Sequence, residues 1–324
     1  MNSLPESHAD SLVRTGGAVP GLAEEPAFAL HGAEPSAIPV LIAVPHAGRA
    51  YPASLLGRLR NPREAALRLE DRHADALAAR VAQATGATLL VARAPRAMID
   101  LNRAPEDVDW GMFGGSARKE RDGGSYSPGG RARSGLGLIP RRVPGIGELW
   151  KRRHEAEELQ QRIAQVHEPY HAALAQALWG LRDRWGAALL IDLHSMPPLA
   201  PVAGAPAAEF VLGDRFGASC DGRLVACAFE WFARSGRLAA HNRPYAGGYV
   251  LERHAATRAG VHALQIEVDR ASYLDSRLDQ PSAALPALAS LLAGLVMRLG
   301  HEVATLGGMR MPEELAENCT LAAE

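Results

Sequence analysis

Ala187-Ala188-Leu189-Leu190-Ile191-Asp192-Leu193-His194-Ser195-Met196 is a short apolar run that ends in a histidine followed by a small residue. A run of this length and composition reads as a buried strand. Ile38-Pro39-Val40-Leu41-Ile42-Ala43-Val44-Pro45-His46-Ala47-Gly48 repeats the arrangement near the start of the chain. In open α/β sheets, ligands bind outside the carboxyl ends of the strands. Two strands that each deliver a histidine to that edge predict one shared site, with a metal ion between the rings. The pairing points to a hydrolase rather than a binding scaffold.

Working outward, Val40–Val44 predicts the first strand and Glu64–Thr85 a helix. Ala66, Leu69, Ala74, Leu77 and Val81 fall at roughly helical spacing, and Gly86 is a natural stop. Thr88–Ala92 and Ala97–Leu101 read as the second and third strands. Glu148–Trp185 has a helical pattern that Pro169 should break in two. Leu189–Leu193 is the central strand, Glu209–Leu212 and His262–Val268 are two more, and Ser282–Leu306 is a closing helix. Strands alternating with helices imply an α/β fold: a mixed, mostly parallel twisted sheet flanked by helices. Residues 1–37, rich in Pro, Gly, Ala and acids, read as a loose N-terminal arm or as a peripheral segment packed on the core. Residues 38–310 form a single catalytic domain, and 311–324 a C-terminal tail. Residues 111–147 are crowded with Gly, Arg, Ser and Pro. A stretch so long and irregular is either a flexible flap over the site or a surface insertion.

Composition narrows the function classes. The 324 residues carry a formal net charge of −1, so nothing global favours nucleic acid or an anionic membrane. No apolar stretch reads as long enough to span a bilayer, and the polar start shows no signal peptide. Cys220, Cys227 and Cys319 form no CxxC pair and no disulfide framework, which favours a reducing cytoplasmic setting. No glycine-rich phosphate loop opens a helix after a strand, and Ser195 is not part of a GxSxG elbow. Homo-oligomer formation stays open.

The chemistry-bearing residues are read from these placements. Catalytic zinc takes three protein ligands and leaves room for water. His46 and His194 are two by position, although a lone strand-end histidine is more often a hydrogen-bonded core residue. A carboxylate completes the set, from Glu70-Asp71, with Asp71 preferred over Glu70; an ordinary helix surface with ion pairs is the plainer reading of that run. Hydrolysis also needs a base to take the proton of the attacking water. Strand alternation puts Gln265, Glu267 and Asp269 on one face. Glu267 is then the base, or else the structural partner of Arg270. Asp192 lies two residues before His194 and either orients it or is simply a buried acid. Asn102 and Arg103 come after a strand-like run and, with Arg96, are placed to clamp a carboxylate, unless they form surface ion pairs. In Asn242-Arg243-Pro244-Tyr245-Ala246-Gly247-Gly248-Tyr249, Tyr249 either reaches a reacting carbonyl or packs beside a glycine turn.

The ordered set of Val44-Pro45-His46-Ala47-Gly48, Glu70-Asp71 with Asp75, Pro95-Arg96 through Asp100-Leu101-Asn102-Arg103, and Gly135-Leu136-Gly137-Leu138-Ile139-Pro140 resembles the N-formylglutamate amidohydrolase family. It continues through Pro169-Tyr170-His171, Ile191-Asp192-Leu193-His194-Ser195-Met196-Pro197, Leu212-Gly213-Asp214-Arg215, Asn242-Arg243-Pro244-Tyr245 and Gln265-Ile266-Glu267. That family looks like a branch of the zinc carboxypeptidase-like hydrolases. The resemblance implies a zinc carboxypeptidase/phosphorylase-hydrolase-like fold and one zinc ion (Zn2+) per chain, with His46 and His194 as ligands. It further implies Glu267 as base and Asn102 with Arg103 holding the α-carboxylate of an N-acyl amino acid, with N-formyl-L-glutamate as lead substrate. Two departures stand out. Zinc carboxypeptidases carry a glutamate three residues after the first histidine, where this chain has Arg49. His254-Ala255-Ala256-Thr257-Arg258 lacks a Tyr-Gly-x-Pro character. A different acyl amino acid or small peptide, and a catalytically silent carboxylate-binding fold, are the rival readings.

Overall fold

The backbone is organised around a mixed sheet of eight strands. In chain order the strands are β1 (Leu12–Gly16), β2 (Phe28–Gly32), β3 (Val40–Val44), β4 (Thr88–Ala92), β5 (Arg142–Val143), β6 (Gly147–Glu148), β7 (Ala188–Met196), β8 (Phe210–Gly213), β9 (Ala239–His241) and β10 (Val261–Asp269). β5 and β6 form a separate small hairpin, and the remainder lie side by side as β1-β2-β4-β3-β7-β10-β8-β9. This computed structural model describes residues 12–114, 130–201 and 206–311.

Pairing is parallel through the centre, from β4 to β3, β7 and β10, and antiparallel at β1–β2, β2–β4 and β10–β8. Every residue of β3 and β7 is buried, as expected for central strands covered on both faces. The covering helices are α1 (Ala53–Arg58), α2 (Pro62–Leu69), α3 (Ala74–Thr85), α4 (Gly130–Arg133), α5 (Ala156–Arg162), α6 (Glu168–Trp185), α7 (Gly222–Arg234), α8 (Tyr249–His254) and α9 (Leu285–Leu306). β3, β7 and β10 end at the same edge of the sheet, which places His46, His194 and Glu267 together.

The structure departs from the sequence reading at six places, one of them Glu148–Glu155, read as helix, where Glu148 closes β6 and α5 begins only at Ala156. Residues 12–32 are not a loose arm: they supply β1 and β2, and β2 pairs with β4 along what would otherwise be an open edge. Ala97–Leu101 is a chain of turns rather than a strand, with the Met98 N–H donating to the Pro95 carbonyl at 2.8 Å. The single helix predicted over Glu64–Thr85 is two, α2 and α3, split at Glu70–His73. The split has tertiary causes. The Asp71 N–H donates to the His46 carbonyl at 2.9 Å. The Arg270 guanidinium takes the Leu67 carbonyl at 3.1 Å and the Glu70 carbonyl at 2.6 Å, satisfying the end of α2.

Pro169 does not break the chain into two helices. α5 runs through one wide π turn, Ile163–His167, into α6, whose first turn holds the proline. Proline has no N–H for the carbonyl four residues earlier, that of Gln165. The Ala18 N–H fills that position at 2.9 Å. Gly17 permits the approach: it has φ +61°, and a Cβ there would lie 2.5 Å from the Gln165 oxygen.

α9 is, by length and composition, apolar enough to cross a bilayer, with mean hydropathy 1.3, contrary to the sequence reading. Its apolar side chains have partners here, because 61% of the span is buried and it packs on α3 and α7. Of the predicted flap, residues 115–129 lie outside the described residues. Residues 130–147 pack down, with Leu138 and Ile139 buried and the Asp100 N–H bonded to the Leu138 carbonyl at 2.7 Å.

Candidate metal centre and active-site cleft

β3 runs into Pro45 and His46, and β7 carries His194 near its carboxyl end. Their rings face each other with centroids 4.7 Å apart. The α2–α3 split inserts Asp71 between them. Its Oδ2 lies 2.9 Å from His194 Nδ1 and 3.5 Å from His46 Nδ1. Ligand atoms of His46, Asp71 and His194 all lie within 4.8 Å of one another, and all three residues are buried.

Both rings are oriented from behind. His46 Nε2 lies 2.7 Å from Asp100 Oδ1, and His194 Nε2 lies 2.9 Å from Asp192 Oδ2. Carboxylates in these positions take the Nε2–H, so the Nδ1 side of each ring, which faces Asp71, is the side that would bind a metal. Asp71 is held just as firmly. Its Oδ1 accepts from the Ser195 hydroxyl at 3.3 Å and from Arg270 Nη2 at 3.3 Å, leaving Oδ2 for the centre.

The electrostatics fit a cation. Burial alone would lower the His194 pKa, yet Asp192 and Asp71 raise it well above the imidazole value. Burial alone would raise Asp71, yet the His194 and His46 rings hold it well below the usual carboxylate range. His46 Nδ1 is buried and makes no hydrogen bond among the described residues. Two imidazole nitrogens and one carboxylate oxygen are a fitting donor set for a catalytic zinc site with an open position.

Beside this group Glu267 projects from β10, the register partner of His194. Its carboxylate accepts from Gln265 Nε2 at 2.9 Å. Burial pushes its pKa up to about 7, with Asp71 and Asp192 adding to the push and His194 and Arg96 opposing it. A carboxyl poised near neutrality suits general-base work. The centre opens into a cleft of ≈ 260 Å³ lined by His46, Asp71, Arg96, Arg103, Arg131, His194, Tyr245 and Glu267, among others. A hollow of ≈ 310 Å³ at the β1–β2 edge lacks such convergence, and its Arg14 and Glu34 pair with each other at 2.8 Å.

The sequence pattern of the N-formylglutamate amidohydrolase family matches residues 38–274. The chain belongs to this family. It is 31% identical over 274 residues to an N-formylglutamate deformylase of Pseudomonas aeruginosa, covering 80% of this chain and 93% of that protein. A crystal structure of an N-formylglutamate amidohydrolase from Ralstonia eutropha superposes with a TM-score of 0.75 at 33% identity, covering 85% of this chain and 98% of that one. A gene product of Agrobacterium tumefaciens, 18% identical with a TM-score of 0.61, shares the fold over 88% of this chain and 97% of its own.

Within this amidohydrolase frame the residues singled out from sequence sort cleanly by position. Glu70 turns away from the histidines and pairs with Arg72 at 2.8 Å. Arg270 serves Asp71, Ser195 and the end of α2 rather than Glu267. Arg49, at the position of the missing glutamate, pairs with Asp75 at 2.5 Å. Arg96 bonds Asp100 through Nε at 2.9 Å and lines the cleft. Arg103 donates Nε to the Leu136 carbonyl and Nη1 to the Asn102 carbonyl, and its Nη2 makes no hydrogen bond among the described residues. Asn102 lines the cleft, but its amide is engaged: Oδ1 accepts from the Val250 N–H at 2.9 Å, and Nδ2 lies 3.5 Å from Asp192.

Tyr249 is not among the residues lining the cleft. Its hydroxyl accepts from Arg253 at 2.6 Å, and its ring packs against His167 and His171. Tyr245 lines the cleft instead, half-buried, with its phenol pushed up by burial and then by the charge of Glu267. Its loop is tied down by Asn242, which donates to Asp214 Oδ1 at 2.7 Å and accepts from the Asp214 N–H at 3.0 Å. Asp100 and Tyr245 are the residues that strand-end and spacing arguments pass over.

Proposed function

We propose that this protein hydrolyses N-formyl-L-glutamate to formate and L-glutamate, with one Zn2+ held by His46, Asp71 and His194. The observation that carries the reading is the convergence of those three buried side chains with Glu267 at the mouth of a cleft lined by arginines. The family and its deformylase relatives supply the substrate. When bound, zinc supplies Lewis-acid polarisation of the formyl carbonyl and makes water more acidic.

The chain's own groups supply the rest. Asp100 and Asp192 hold the Nε2–H of the two rings, and Arg270 with Ser195 holds Asp71. Glu267 takes one proton from the attacking water and returns it to the amide nitrogen as the C–N bond breaks. Arg103 holds the substrate α-carboxylate through the edge of its guanidinium left free by Leu136 and Asn102. Arg96 adds positive charge beside the reacting carbonyl. Cys220 and Cys227, buried and free of disulfides, suit a cytoplasmic setting.

The test is formate release from N-formyl-L-glutamate together with metal content, before and after chelation. About one zinc per chain with chelator-sensitive release supports the reading. Release that survives complete metal removal overturns the zinc assignment. No release from the zinc-loaded protein overturns the substrate.

A further inference from the structure

Against Leu101–Arg103, and not among the residues lining the cleft, lies a cluster of buried imidazoles. His167 closes the π turn and His171 lies four residues later on the same face of α6. Their ring centroids are 4.4 Å apart. His167 Nε2 lies 2.9 Å from the Arg103 carbonyl, and His171 Nε2 lies 3.0 Å from the Leu101 carbonyl.

A carbonyl only accepts, so both Nε2 atoms carry the proton and both rings are donors. His171 Nδ1 is therefore an acceptor, and His254 Nε2 donates to it at 2.9 Å. The order of protons is thus set from α8 through α6 to the loop. Burial keeps His167 and His171 neutral, which this order requires. The two gripped carbonyls flank Asn102, and Arg103 spends Nε and Nη1 on loop carbonyls.

We propose that His167 and His171 are positioning residues that hold the Leu101–Arg103 loop from behind and thereby fix the Arg103 guanidinium for the substrate carboxylate. The inference rests on the proposed amidohydrolase reading for the identity of that carboxylate. It also gives the π turn a role. A wide turn inserted into a helix rotates the side chains on its N-terminal side relative to those on its C-terminal side. Here the turn ends at the first of the two gripping residues.

The test pairs His167→Met, which has similar reach and no donor, with His167→Gln, which keeps a donor at about the position of Nε2. Both are made in the full-length, zinc-loaded enzyme. A buried carbonyl left without its donor lets the loop relax, and the expected loss is about tenfold in KM for N-formyl-L-glutamate. Turnover stays within about threefold, because Arg103 binds ground state and transition state alike. Zinc content is unchanged, and Gln restores most of the affinity.

A second readout needs no substrate. Phenylglyoxal modification of Arg103, followed by peptide mass mapping, runs several-fold faster in His167→Met. A lower melting temperature with KM and Arg103 labelling unchanged overturns the proposal and makes the histidines merely structural. Wild-type enzyme that releases no formate overturns the substrate assignment, and the labelling rate still decides the grip on the loop. If His167→Met does not fold, the same pair of substitutions at His171 carries the test through the Leu101 carbonyl.

Discussion

Glu267 and His194 are register partners across the parallel pair β10–β7, so the proposed base and the proposed ligand are delivered side by side by the sheet itself. A slip of one residue would turn Glu267 to the opposite face. Glu267→Gln keeps shape and removes the proton acceptor. Turnover is expected to fall at least ~10²-fold with zinc content unchanged, measured by formate release and metal analysis on one preparation. A variant that retains wild-type turnover removes Glu267 from the mechanism.

The same carboxyl sets an acid limb. It must be ionised to accept a proton, so activity falls as pH drops through its pKa. Burial pushes that value up to about 7, while His194 and Arg96, and any bound cation, pull it down. The acid limb of kcat/KM for the wild type is expected at or below pH about 7. A limb well above that pH assigns the titration to another group.

Asp100 and Asp192 lie against the Nε2 atoms of His46 and His194, and in the proposed centre they orient those rings without being ligands themselves. Asp100→Asn and Asp192→Asn are each expected to weaken zinc binding about 10- to 100-fold, read by competition with a chromophoric chelator. His46→Ala is expected to remove stoichiometric zinc altogether. Unchanged affinity in both Asn variants sinks the orienting role.

Tyr245 lines the cleft and Tyr249 packs behind it. Tyr245→Phe is expected to lower kcat/KM by about one order of magnitude, the worth of one hydrogen bond to a charged or developing charge. Tyr249→Phe keeps the aromatic packing and is expected to stay within about threefold of wild type. The reverse ranking would return the chemistry to Tyr249.

Several histidines are buried in the neutral form. Burial lowers His154 and His254 to about 3, and His171 is also held well below the ordinary value. In the unfolded chain each titrates near 6.5. The unfolded state therefore binds protons first as pH falls. The stability these residues contribute is complete above about pH 6.5 and is lost progressively as pH falls, toward pH about 3 for His154 and His254. At pH 5 the loss is about 2 kcal/mol for each of His154 and His254. Urea unfolding at pH 7.5 and 5 should show it, and His254→Gln should flatten the slope. A stability profile flat over that range would contradict the buried neutral state.

The centre of the sheet was legible because continuous apolar runs have one reading: Val40–Val44 and Thr88–Ala92 appear with the predicted bounds. His46 and His194 were legible as strand-end histidines, and Glu267 through alternation. What escaped was set by partners distant in sequence. The split that presents Asp71 depends on a bond to His46 and on Arg270 capping α2, and neither leaves a local pattern. Asp100 acts through a ring 54 residues away. Tyr245 and Tyr249 look equivalent in a glycine-rich turn until the Asp214–Asn242 lock fixes which of them enters the cleft. β1 is exposed along most of its length, and both β1 and β2 lie in a stretch rich in Pro, Gly, Ala and acids, so composition alone left their place open.

The bond from the Ala18 N–H to the Gln165 carbonyl joins the first strands to the π turn that ends at His167. The family pattern begins at residue 38 and stops at 274, so β1, β2 and α9 all lie outside it. A chain trimmed to the matched span would keep every group assigned to the chemistry. It would also lose the brace on the π turn, the cover over the β4 edge and the helix packed on α3. The packed unit, sheet edge and closing helix included, is larger than the span that the family pattern recognises.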